Sequence, residues 1–78
     1  MSDRLPRISG KKMKQLVEAA GFVGRAGKGS HTFYKHADGR KTVVAAHGAE
    51  DLSVTMIAKI LRDIGMTHDE YRERVKEL

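Results

Sequence analysis

Apolar and polar positions recur along this chain with two different periods, and the changes of period divide it into elements. Met13, Leu16, Val17 and Ala20 are spaced for one face of a helix, behind Ser9 as a good N-cap. Gly21 supplies the position just past a helix end, so the spacing predicts a first helix from Gly10 to Ala20. The period then shortens. Phe22–Arg25, Ser30–His36 and Lys41–Ala46 read as three short strands, the second rich in β-formers (Thr32, Phe33, Tyr34). Gly27-Lys28-Gly29 turns the first into the second, and Asp38-Gly39 signals a two-residue hairpin before the third. After a loop over His47–Leu52, Ser53 caps a second helix with an apolar stripe of Met56, Ile57, Ile60, Leu61 and Ile64, ended by Gly65. Thr67 and Glu70 form a capping box for a short third helix carrying Tyr71, Val75 and Leu78. Met13, Met56, Ile60 and Leu61 are expected in the core.

Two successive hairpins make an antiparallel meander, and the element order is α-β-β-β-α with a short extra C-terminal helix. The fold class expected is α+β, one domain over residues 1–78. The economical packing lays both main helices on one face of the three-stranded sheet and leaves the other face open. Double-stranded-RNA-binding domains share this order and layering, although a fold alone does not license a function. Alternation splits the second strand into His31, Phe33 and Lys35 on one side and Ser30, Thr32, Tyr34 and His36 on the other. With Tyr34 inward, the favoured arrangement, His31 and Lys35 share the open face. With Phe33 inward, His31 lies on the core side.

Seventy-eight residues are near the lower limit for a self-sufficient core, and the chain has no cysteine to reinforce one. The lack of cysteine fits a reducing compartment. No apolar stretch approaches the roughly 18 residues of a membrane span, and Met1–Arg7 lacks an apolar signal segment. A soluble cytoplasmic protein is expected. Charge adds more. The net charge is +5, and it is unevenly spread. Residues 1–47 hold ten Lys and Arg against three Asp and Glu, whereas residues 48–78 hold five against seven. That asymmetry argues for a polyanionic partner, foremost a nucleic acid.

The stretch Gly27–Tyr34 sets a histidine just after a basic, glycine-bracketed turn. Cleaving an RNA phosphodiester requires a proton to leave the 2′-OH and another to reach the departing 5′-oxygen. Histidine suits either step, with a reference pKa of about 6.5. His31 is therefore the candidate catalytic residue, as general base or acid. Lys28 and Arg25 are placed to offset charge developing on phosphate oxygens, and the N–H groups of the turn suit an anion-binding nest. Lys11, Lys12 and Lys14, off the apolar stripe of the first helix, join Arg25, Lys28, Ser30 and Lys35 as candidate RNA-binding residues. His47, beside Gly48, is a possible secondary group at the site. His36 and His68 are expected as solvated surface residues. The histidines show neither H-E-x-x-H spacing nor a carboxylate partner pattern, so no metal and no other cofactor is expected.

Several separated motifs sharpen this picture. Ser9-Gly10-Lys11 opens the first helix and Ala20-Gly21-Phe22 closes it. Gly29-Ser30-His31 follows, with an aromatic at Tyr34. Then come His36-Ala37-Asp38-Gly39-Arg40, Ala46-His47-Gly48, Ile60-Leu61-Arg62 and Ile64-Gly65-Met66. In this order they resemble the HicA family, the small mRNA interferase toxins of bacterial HicA–HicB toxin–antitoxin pairs. The resemblance implies a double-stranded-RNA-binding-like fold and RNA cleavage independent of metal and ribosome. It also implies His31 of the Gly-Ser-His motif as the catalytic group, and a HicB-type antitoxin that masks the site. Ala37, Ala45, Ala46 and Val54-Thr55 depart from the family pattern at turns and helix starts, away from His31. Two other functions draw on the same residues: a non-catalytic RNA-binding module, and a degenerate toxin serving as a protein-interaction domain.

Overall fold

The helix caps form where the sequence places them. In the computed structural model, which describes residues 5–46 and 49–78, α1 runs over Gly10–Ala19 with the Ser9 hydroxyl accepting the Lys12 N–H at 3.2 Å. Helix α2 spans Val54–Ile64, and Ser53 caps it through the Met56 N–H at 3.1 Å. Helix α3, His68–Val75, opens on the complete capping box of Thr67 and Glu70. Each cap satisfies a backbone donor that the first turn leaves without an intrahelical acceptor.

Between α1 and α2 lie β1 (Val23–Ala26), β2 (His31–Lys35) and β3 (Lys41–Ala45), an antiparallel sheet in the order β1-β2-β3. The register pairs Tyr34 with Gly24 and Thr42, Phe33 with Arg25 and Val43, and His31 with Ala45. Tyr34 is 2% exposed and Phe33 50%, so Tyr34 is the inward aromatic. The α+β layout is as expected; β1 is displaced by one residue from its sequence pattern, and β2 and β3 are shorter than theirs by a residue at one or both ends. Phe22 falls just outside β1 yet is buried.

The second hairpin differs from its expected form. Gly39 has φ +100°, but among the described residues only glycines have positive φ, so Asp38 does not. A type I′ turn needs both central residues there. Instead Gly39 N–H donates to the His36 carbonyl at 2.9 Å and His36 N–H to the Arg40 carbonyl at 2.8 Å. This is a three-residue loop with its glycine in the left-handed position. Asp38 accepts from Arg40 Nε at 2.9 Å, which braces the loop and holds its carboxyl down at about 2.

The core joins Met13, Leu16 and Val17 of α1 to Ile57, Ile60, Leu61 and Ile64 of α2, over Tyr34 and Val44 of the sheet. Thr42, also inward, donates to Asp63 at 2.9 Å and so is buried with its hydroxyl paired. Met56 is 37% exposed rather than core, and Leu78 lies exposed too. Met56 sits in the first turn of α2, one position off the face formed by Ile57, Ile60, Leu61 and Ile64. A further layer has no periodic signature. Leu5 and Ile8 are buried, Leu52 N–H donates to the Ile8 carbonyl at 2.8 Å, and Arg7 Nε donates to the Leu52 carbonyl at 2.8 Å. Tyr71 of α3 is buried and its hydroxyl donates to the Pro6 carbonyl. Helix α3 thus ties the N-terminal segment down.

Candidate RNA-handling face

The inward choice of Tyr34 decides what the opposite face of the sheet presents. Val23 and Arg25 of β1, Phe33 and Lys35 of β2, and Lys41 and Val43 of β3 share that face with His31 and Ala45. The register sorts them into rows. Val23, Lys35 and Lys41 lie across one end, Arg25, Phe33 and Val43 across the middle, and Gly27, His31 and Ala45 across the other end. Neither main helix covers this face, because both contribute their apolar stripes to the side of Tyr34 and Val44.

His31 sits where the first turn enters β2. Its N–H donates to the Lys28 carbonyl at 3.2 Å, and its carbonyl accepts the Gly27 N–H at 2.9 Å. The imidazole is exposed, with Nδ1 3.3 Å from the same Lys28 carbonyl. A carbonyl only accepts, so in the neutral imidazole this contact favours the tautomer with its proton on Nδ1 and its lone pair on Nε2. One backbone oxygen therefore fixes both the strand entry and the ring.

Close packing brings α1 to the same end. A Cβ on Gly10 would stand 2.6 Å from Ala46 Cβ and 3.0 Å from the Ala45 carbonyl, so only glycine permits this approach of helix start to strand end. Ala45 pairs with His31, and Ala46 N–H donates to the Ser30 carbonyl at 3.1 Å. Lys11, Lys12 and Lys14 thus start from the end of the sheet that holds His31, Lys28 and Ser30. Lys11 and Lys12 are exposed and Lys14 is half-buried. Lys35 belongs elsewhere. It lies four residues along β2 from His31, about 13 Å at 3.3 Å per residue, and pairs with Lys41. Arg25 occupies the middle row. His47 lies outside the described residues.

Phe33 carried no role in the sequence reading. An edge of its ring stands against Gly27, where a Cβ would meet it at 2.2 Å. In the sheet Phe33 stands one alternation along β2 from His31, between Arg25 and Val43 and diagonal to Gly27. His36, expected to be solvated, is partly buried instead: its ring meets Phe22 edge-on at 5.0 Å, and its Nδ1 accepts the Asp38 N–H at 3.1 Å. That position makes it part of the second hairpin's packing. A shallow concavity is lined by Val23, Arg25, Phe33, Lys35, Lys41 and Val43, among others, and it excludes His31. Among the described residues, no group of three His, Cys, Asp or Glu side chains gathers with metal-binding geometry, and no helix is long and apolar enough to cross a membrane.

On the inner side, burial raises the Tyr34 hydroxyl's pKa, and the Glu18 carboxylate that accepts its hydrogen bond at 2.7 Å raises it further. Tyr71 is pushed up to about 12, chiefly by burial. Both hydroxyls serve packing rather than the open face.

A comparison with protein-family models matches residues 10–66 to the HicA toxin of bacterial toxin-antitoxin systems. A comparison with curated proteins yields no match. The matched span runs from the glycine at the start of α1 to the residue after Gly65, and so includes the whole sheet and the His31 turn.

Proposed function

The chain belongs to the HicA toxin family of bacterial toxin–antitoxin systems, and from that premise we propose that it is an endoribonuclease that cleaves mRNA in the cytoplasm, without metal or ribosome. His31 is the catalytic group. The observation that carries this reading is the exposed imidazole whose Nδ1 faces the Lys28 carbonyl, leaving Nε2 to take a proton. In the reaction Nε2 removes the 2′-OH proton, the 2′-oxygen forms a bond to phosphorus, and the bond from phosphorus to the 5′-oxygen breaks. The departing oxygen takes a proton from water, and the products carry a 2′,3′-cyclic phosphate and a 5′-OH. Lys28 and Arg25 offset negative charge on the phosphorane oxygens, while Ser30, Lys35 and the α1 lysines Lys11, Lys12 and Lys14 contact the RNA. A HicB-type antitoxin is the partner that masks His31.

The experiment is RNA cleavage by purified wild-type and His31→Ala protein, with and without chelator, and end-group analysis of the products. Wild type should release 2′,3′-cyclic phosphate ends equally well in chelator. A 5′-phosphate product, or chelator sensitivity, would replace this chemistry with a metal-assisted route.

A further inference from the structure

The open face is electrostatically unfinished in a way that a nucleic-acid strand would complete. Lys35 and Lys41 are direct cross-strand partners, and like charges placed opposite one another destabilise a sheet. Among the described residues neither has an ion-pair partner, and nor does Arg25 one row away. The five ion pairs found there involve other side chains: Asp38 with His36 and Arg40, Asp63 with Lys59, Asp69 with Arg72, and Glu73 with Lys76. No acidic residue occupies the rows of the open face; Asp63 of α2 reaches the rim of the same concavity, where its carboxylate is already paired with Lys59 and Thr42. Within this cationic frame Phe33 is half exposed, at 50%, and Val23 is exposed at 75%.

Phe33 is also held in place. The Cδ2–Cε2 edge of its ring stands against Gly27, close enough that any Cβ there would collide with it, so the ring is buttressed by the hairpin along one edge. A supported aromatic surface flanked by cations is how proteins hold unpaired bases, because every base has a π-face and every linkage a phosphate. A duplex buries its base faces and offers an aromatic nothing to stack on.

We propose that Phe33 is a stacking platform for a base of single-stranded RNA, with the Lys35–Lys41 pair and Arg25 as the phosphate contacts beside it. Successive rows lie about 7 Å apart. A base on Phe33 therefore has one flanking phosphate toward His31 and Lys28 and the other toward Lys35 and Lys41. This assignment deepens the proposed cleavage reaction, since it states that the substrate enters unpaired and that Phe33 positions it.

The chain contains no tryptophan, so Phe33→Trp introduces a single fluorescent reporter. In a His31→Ala background, which removes the proposed catalytic group, an oligouridylate should quench that fluorescence on binding. The same strand with abasic sites should quench it far less. Phe33→Ala should weaken binding of single-stranded RNA by about 5- to 150-fold and leave duplex binding unchanged, whereas Phe33→Trp should restore single-strand affinity. Equal affinity of wild type and Phe33→Ala for single strands, or binding of Phe33→Trp without quenching, would overturn the assignment. So would binding of polyglutamate in place of RNA, which would give the face to a protein partner. Cleavage is measured separately on wild type. A protein that stacks RNA but does not cut it would refute the reaction and leave the platform standing.

Discussion

Phe33 and Tyr34 are adjacent aromatics on one strand, and they live in opposite worlds. Tyr34 is 2% exposed, packed among helix side chains, with its hydroxyl donating to Glu18 at 2.7 Å. Phe33 is 50% exposed, amid cations without acidic partners. The inner face is complete: its apolar side chains form a continuous cluster, and Thr42, the one buried polar residue among those described, is hydrogen-bonded. The outer face spends apolar and cationic surface on nothing within the described residues. One face carries stability, and the other is available for binding and chemistry.

If that division holds, the same substitution on neighbouring residues has opposite consequences. Tyr34→Ala should cost about 3–5 kcal/mol, the range for removing a buried aromatic. In a domain this small that loss approaches the whole stability. Phe33→Ala should change stability by no more than about 0.5 kcal/mol, as for exposed sites. Urea unfolding followed by circular dichroism compares them, and equal losses would erase the distinction.

Alkaline titration probes the inner face alone. The chain has two tyrosines, Tyr34 and Tyr71, and both are buried. Their pKa values are raised on folding, so the stability they confer is fully present below pH 10, their ordinary pKa. Above it the unfolded chain ionises while the folded chain does not, and stability falls with pH by about 1.4 kcal/mol per unit for each group. For Tyr71 this loss runs to about pH 12, and for Tyr34 it continues beyond. Phenolate absorbance should therefore appear together with unfolding. Ordinary titration near pH 10 in a folded protein would mean the inner face is wet.

A smaller effect tests how the two faces are joined. Gly10→Ala puts a methyl 2.6 Å from Ala46 Cβ, which should cost about 1–3 kcal/mol as overpacking. Because Ala46 N–H bonds the Ser30 carbonyl beside His31, the shift should also lower cleavage. Unchanged stability on thermal unfolding would show that α1 yields without strain.

Local signals carried most of the fold. Ser9, Ser53 and the Thr67–Glu70 pair act one turn away from themselves, so the caps and helices were legible directly. The face of β2 was not, because two aromatics in succession satisfy either alternation. The folded chain decides for Tyr34, which joins the buried cluster and donates its hydroxyl to Glu18 of α1. The N-terminal layer was illegible for another reason: Leu5 and Ile8 lie in an irregular segment held by bonds to residues more than forty positions away. Met56 misled because it sits in the apolar run of α2 but one position off the face that Ile57, Ile60, Leu61 and Ile64 bury. At the candidate site, the turn that precedes His31 was legible from its glycines, whereas the approach of the Phe33 ring edge to Gly27 was not, since it depends on the register of β1 and β2.

The central claim is that His31 performs chemistry from the open face and contributes nothing to the fold. It is tested by measuring, on the same preparations of wild type and His31→Ala, the single-turnover rate of RNA cleavage and the midpoint of thermal unfolding. The account predicts a loss of cleavage of about 10²- to 10⁴-fold with an unchanged midpoint. Cleavage at the wild-type rate, or a rate that falls only in step with stability, would contradict it.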